Sequence, residues 1–126
     1  MYRSIICAIC AFAQISFAHE MTPTYPEFKP AVMDGIYKTN IQMFNHRDDV
    51  QWFEVGVYDA EWNDVSHVST SGILKVEYLR RASVDIFVTE KDLERVVYIC
   101  STSMLDGSTT NNKAFMASKI CSKVKH

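Results

Sequence analysis

The stretch Val96–Met104, VVYICSTSM, decides how the rest of the chain is read. It is filled with the β-branched and aromatic residues that suit a pleated, half-buried surface. A second cysteine, Cys121, lies in the final segment Ala114–His126, within reach of Cys100. Between the two, Asp106–Asn112 (DGSTTNN) is almost pure turn chemistry. Strand, loop and strand predict a terminal β-hairpin closed by a disulfide from Cys100 to Cys121.

Working outward, the N-terminal end reads as an export signal. Met1–Arg3 is a short positive region, and Ser4–Ala18 is an apolar run too short to span a membrane comfortably. The run ends Ser16-Phe17-Ala18, with small residues where signal peptidase requires them. Cleavage after Ala18 is expected, leaving residues 19–126 as one domain in the periplasm or outside the cell. Cys7 and Cys10 leave with the signal, so Cys100 and Cys121 remain to pair in an oxidising compartment. Neither C-x-x-C spacing nor neighbouring histidines favour a metal or redox role for them.

The composition, 48% hydrophobic and 22% charged, is that of a globular domain rather than a disordered or fibrous chain. A net charge of −2 supplies no field to attract nucleic acid or an anionic membrane. The four lysines near the end, Lys113, Lys119, Lys123 and Lys125, read as a solvated strand face.

The strands follow from alternation. Glu20–Pro30 carries all three prolines, so it is extended and lies at a sheet edge or crosses between sheets. Ile36–Asn45 places Tyr37, Thr39, Ile41 and Met43 on one face, and the polar run Asn45–Asp49 turns the chain. Trp52–Tyr58 sets Phe53, Val55 and Val57 against Trp52, Glu54, Gly56 and Tyr58. Ile73–Leu79 and Ser83–Thr89 alternate likewise, and Glu90–Arg95 is a helix of one or two turns. Short strands at near-regular spacing, with no long amphipathic helix, predict an all-β fold, an antiparallel β-sandwich or barrel.

The order of elements carries a resemblance. Gly35–Trp52, GIYKTNIQMFNHRDDVQW, is a strand ending in Asn45 and a polar turn, followed by the aromatic-rich strand Trp52–Tyr58. The later strands and the step Glu90–Tyr98 follow in matching order. This resembles the N-terminal immunoglobulin-like (PapD-like) domain of periplasmic pilus chaperones, across residues 22–124. The resemblance implies an immunoglobulin-like antiparallel β-sandwich of about seven strands. It also implies a non-enzymatic module that binds protein subunits of a surface assembly by strand addition. The matching donor strand is Ala114–Val124, with Met116, Ile120 and Val124 on one face. Lys29 matches the first-strand basic residue that anchors a partner's carboxylate, and Lys119 or Lys123 the second. Family members continue into a second domain, so the expectation here is a single-domain version without an interdomain cleft.

No nucleophile–base motif, H-E-x-x-H or phosphate loop is present, and no cofactor is expected. Two further readings concern particular side chains. Cleavage after Ala18 would make His19 the N-terminal residue, whose amine and ring suit Cu(II), with His46 or His67 as second ligand. Trp52, Tyr58 and Trp62 offer aromatic surface for a sugar or a partner strand. A structural role in a surface fibre or virion is the third alternative.

Overall fold

The computed structural model describes residues 19–105 and 116–126. The expected signal (1–18), the whole of the expected hairpin loop (106–112) and the first residues of the expected last strand (114–115) lie outside the described residues. The elements run β1 (His19–Thr22), β2 (Lys29–Pro30), β3 (Ile36–Asn45), β4 (Trp52–Tyr58), β5 (Val68–Ser69), β6 (Ile73–Lys75) and β7 (Arg81–Thr89). A single turn of helix, α1 (Glu90–Leu93), precedes β8 (Tyr98–Ser103) and β9 (Lys119–Lys123).

Two antiparallel sheets face each other. One is ordered β1-β3-β7-β5, with β2 sharing the β3 edge beside β1; the other is ordered β6-β4-β8-β9. The alternation of the long strands builds the core between them. Ile41 and Met43 of β3, Phe53 and Val57 of β4, Ile86 of β7 and Ile99 of β8 are all fully buried. Each such side chain contributes roughly 1.5–3 kcal/mol by leaving water. The disulfide joins Cys100 to Cys121 across neighbouring strands, as the hairpin reading expected.

The proline-bearing segment crosses between sheets. β1 pairs with the far end of β3, through His19 opposite Asn45, and β2 pairs with its near end, through Pro30 opposite Tyr37. In between, Lys125 donates from its backbone N–H to the Pro26 carbonyl (2.8 Å), and Glu27 bridges Lys125 in parallel. The segment thus touches the β9 end of the second sheet before it returns. Phe28 is buried behind it.

Asn45 fixes the corner after β3. Its side chain is wholly buried and donates to the carbonyls of Val50 (2.7 Å) and Val76 (2.8 Å), while its Oδ1 accepts from the Arg47 N–H (2.8 Å). Its backbone accepts from Leu79 and donates to Arg80. One amide therefore ties together the ends of three segments.

Several boundaries differ from the alternation reading. β6 ends at Lys75; its register runs one pair further, through the Val76 N–H to the Gln51 carbonyl (2.8 Å), before the chain turns with Leu79 at a left-handed φ of 56°. Tyr78, two positions on from the buried Val76, is exposed. β7 begins two residues early, at Arg81, where Phe44 pairs with it. β5 lies in the polar connection between β4 and β6, too short to alternate. α1 is shorter than Glu90–Arg95; Thr89 caps it by accepting from the Asp92 N–H (3.2 Å).

Candidate functional site

The open edge of β9 is the feature on which a partner would act. β9 pairs only with β8 among the described residues. Ser103 donates to the Ser118 carbonyl (2.9 Å) and Val124 to the Val97 carbonyl (2.8 Å), so by alternation Ile120 and Ser122 also bond inward to β8. Cys100 and Cys121, with Cα atoms 4.1 Å apart, form the intervening non-hydrogen-bonded pair. The backbone N–H and C=O groups of Lys119, Cys121 and Lys123 consequently point away from β8. Among the described residues that leaves a row of unpaired backbone groups about three residues long on the free side, bounded at its C-terminal end by the Glu27–Lys125 bridge.

The residues expected to be lent to a partner do not lie together on an outer face. Met116 is exposed ahead of β9, whereas Val124 belongs to the core and Ile120 packs against it. The physical reason is parity: the even-numbered positions of β9 face inward, so its apolar side chains complete this domain's own sandwich. Lys119 and Lys123 face outward. Lys29 lies in β2, opposite Lys38, in the other sheet from Lys119.

Beside β9, where β1 approaches it, a polar cluster is buried. His19 is 2% exposed; its Nδ1 lies 3.0 Å from Ser118 Oγ and its Nε2 lies 2.7 Å from Ser101 Oγ. Its ring packs against Phe53, with centroids 4.7 Å apart. Arg47 reaches Ser103 and Ser118 (3.4 Å each) while its guanidinium grips Asp49 through two 2.8 Å bonds. A fork-on-fork pair of this kind is the strong form of an ion pair, and it holds the Asp49 carboxyl below its usual range. The sequence reading missed this cluster. Its signal was Ser101 and Ser103 on the same parity as Ile99, since hydroxyls on an inward face require a buried partner.

His19 does not present free nitrogens. Both ring nitrogens are engaged by serines, so a metal would have to displace those bonds. His46 faces Glu20 (3.3 Å), and His67 Nδ1 lies 2.8 Å from the Val65 carbonyl. Among the described residues no group of three or more His, Cys, Asp or Glu is placed to hold a metal. The short Ser101–His19 contact resembles an activated hydroxyl, but Ser101 is fully buried, with no opening for a substrate.

Burial and then the Arg47 charge lower the His19 pKa from its ordinary 6.5, against an opposing hydrogen bond to Ser101. The unfolded chain therefore takes up a proton at a pH where the folded chain does not. Stability is complete above pH about 6.5 and declines below it, by at most about 1.4 kcal/mol per pH unit, until the folded-state pKa is reached. Asp49 works in a separate window, below its ordinary value of 3.8. Urea unfolding at pH 7.5 and pH 5 is expected to show a loss that His19→Gln diminishes. An equal loss in both proteins would remove His19 as the cause.

On the outer face of β4 and β8, aromatics collect around Lys119. Trp62 stacks flat on Tyr98 (centroids 4.2 Å, planes 4° apart), and Lys119 Nζ lies 5.1 Å from the Tyr58 ring centroid and 5.7 Å from that of Trp62. Trp62 reaches this position from a left-handed φ of 65°, in a turn whose N–H groups at Glu61 and Asn63 bond the Asp59 carboxylate. A Cβ at Gly56 would come within 2.6 Å of the Tyr58 hydroxyl, so any side chain there would push the Tyr58 ring aside. The expected aromatic surface exists, with Tyr98 in it and Trp52 apart, beside Lys75 (5.9 Å).

No protein-family model matches the sequence, and no curated protein matches it. Solved structures do. The E. coli chaperone DraB aligns with a TM-score of 0.60 over 86% of this chain and 53% of its own, at 13% identity. A structure of the Salmonella enterica SafA pilin in complex with the SafB chaperone aligns at 0.59, over 86% and 53%, at 10% identity. A PapD-like domain of human CEP192 aligns at 0.58 over 98% of this chain and 94% of that one, at 8% identity. The chain spans about half the length of the chaperone chains it matches. The fold is a PapD-like immunoglobulin sandwich.

Proposed function

We propose that this chain is an exported, non-enzymatic module that binds partner polypeptides by strand addition along the open edge of β9. The observation that carries this reading is the row of outward backbone groups at Lys119, Cys121 and Lys123, unpaired among the described residues. An extended segment laid there gains main-chain hydrogen bonds whatever its sequence. The Salmonella structure, in which a chaperone of this fold is in complex with a pilin, supports a protein partner. The partner class is a subunit of a surface assembly. Export is supported by the apolar run ending at Ala18 and by the disulfide. No helix among the described residues is long and apolar enough to cross a membrane.

Native mass spectrometry of the protein recovered from its own cells is expected to show a chain beginning at His19 that carries a polypeptide. Lys123→Pro removes one outward N–H and none of the bonds to β8, so it should weaken the complex about tenfold without a comparable loss of stability. A polypeptide held as tightly by the proline variant would show that the edge is not where it binds.

A further inference from the structure

The open edge of β9 has an electrostatic sign. Lys119 and Lys123 project from the same outer face, four positions apart, and Lys125 follows at the strand's end. Of the other described lysines, Lys38 has Asp85 at 3.2 Å and Lys75 has Glu77 at 3.9 Å, while Lys29 and Lys91 have no carboxylate within 4.0 Å. Among the described residues no carboxylate lies within 4.0 Å of the Lys119, Lys123 or Lys125 ammonium. Lys119 is instead drawn back across β8, over Tyr58 and Trp62, and swings outward to meet a charge on an added strand.

That pattern excludes one occupant and suits another. A second copy of β9, paired antiparallel about Cys121, would set Lys119 directly opposite Lys123 twice over, with like charges about 5 Å apart. Edge lysines are a recognised device against such self-pairing. The same two charges attract carboxylates on an added strand. We propose that the segment β9 accepts is acidic: an extended polypeptide with carboxylates at two positions four residues apart, facing Lys119 and Lys123 across the new ladder. Four residues of strand span about 13 Å, and the antiparallel register brings both carboxylates opposite their lysines at once. This rests on strand addition and adds to it a rule of selection, since backbone bonding alone does not discriminate between sequences.

The test uses the oxidised, isotope-labelled chain and three nine-residue peptides of alternating valine and threonine. They carry Glu, Gln or Lys at two positions four apart, and binding is followed by the backbone amide signals of residues 119–123. The Glu peptide is expected to bind about tenfold more tightly than the Gln peptide at low salt, an advantage that shrinks as salt is added. Combining Lys119→Glu with Lys123→Glu should invert the order in favour of the Lys peptide. Equal affinity for all three, with those amides shifted, would overturn acidic selection and leave strand addition standing. A preference of the unaltered chain for the Lys peptide would overturn it equally. If no peptide shifts those amides, strand addition itself fails, and the selection rule with it.

Discussion

Replacing Asn45 with alanine is expected to destabilise the domain by about 3 kcal/mol, a large share of the stability of a chain this size. The side chain is completely buried and makes three hydrogen bonds, each between 2.7 and 2.8 Å. Alanine leaves the Val50 and Val76 carbonyls in the interior without these donors, and each such loss costs about 1–3 kcal/mol. The two carbonyls belong to segments before β4 and after β6, so the damage spreads across the corner. Asn45→Asp is expected to be no milder, since it replaces the donating amide with an acceptor aimed at two acceptors. Urea midpoints for the two variants decide the matter. A loss below about 1 kcal/mol in both would mean that the surrounding backbone, rather than the amide, holds the corner.

Removing the disulfide, as Cys100→Ala with Cys121→Ala, is expected to cost about as much. The bridge closes a loop with a sequence separation of 21, which on the chain-entropy model is worth about 3 kcal/mol. For a domain this size that is a fall of about 15 °C in melting temperature. Alanine at position 100 also removes a sulfur from a fully buried site. β9 retains its ladder to β8 and the anchoring of Val124, so it should loosen before the sandwich as a whole. Hydrogen exchange is then expected to rise first at the amides of Ile120 and Ser122. A melting temperature lowered by less than about 5 °C would show that the ladder and core hold β9 without the bridge.

Side chains that alternate over seven or more residues were legible in the sequence, and those strands are the frame of the fold. Ile41 and Met43, Phe53 to Val57, and Val84 to Val88 face inward as their parity requires. Pairs too short to alternate were not legible as strands: the prolines marked Lys29–Pro30 only as extended chain at an edge or a crossing, and Val68–Ser69 becomes a strand only because β7 offers it a free edge. The end of β6 was hidden for a different reason, because a left-handed Leu79 whose N–H bonds the Asn45 carbonyl is a tertiary effect that overrides propensity.

Of the candidate site, the cysteine pairing and the outward lysines were readable, and the role of the apolar residues was not. Met116, Ile120 and Val124 share a parity, but nothing in the chain says whether that face meets a partner or the domain's own core. The structure gives Ile120 and Val124 to the core. His19 was similarly ambiguous. A histidine next to an expected cleavage site reads as an exposed ligand until Ser101 and Ser118, remote in sequence, are seen around it.

The contact between His19 and Ser118 joins residues 99 positions apart, and Glu27 meets Lys125 across a similar interval. Closing so long a loop costs chain entropy before the contact forms, so such contacts are slow to make. β1 finds β3 close by in sequence, whereas the gap between the two sheets closes only when β9 docks. Until then His19 lacks Ser118. The domain is fastened where its sequence separation is greatest.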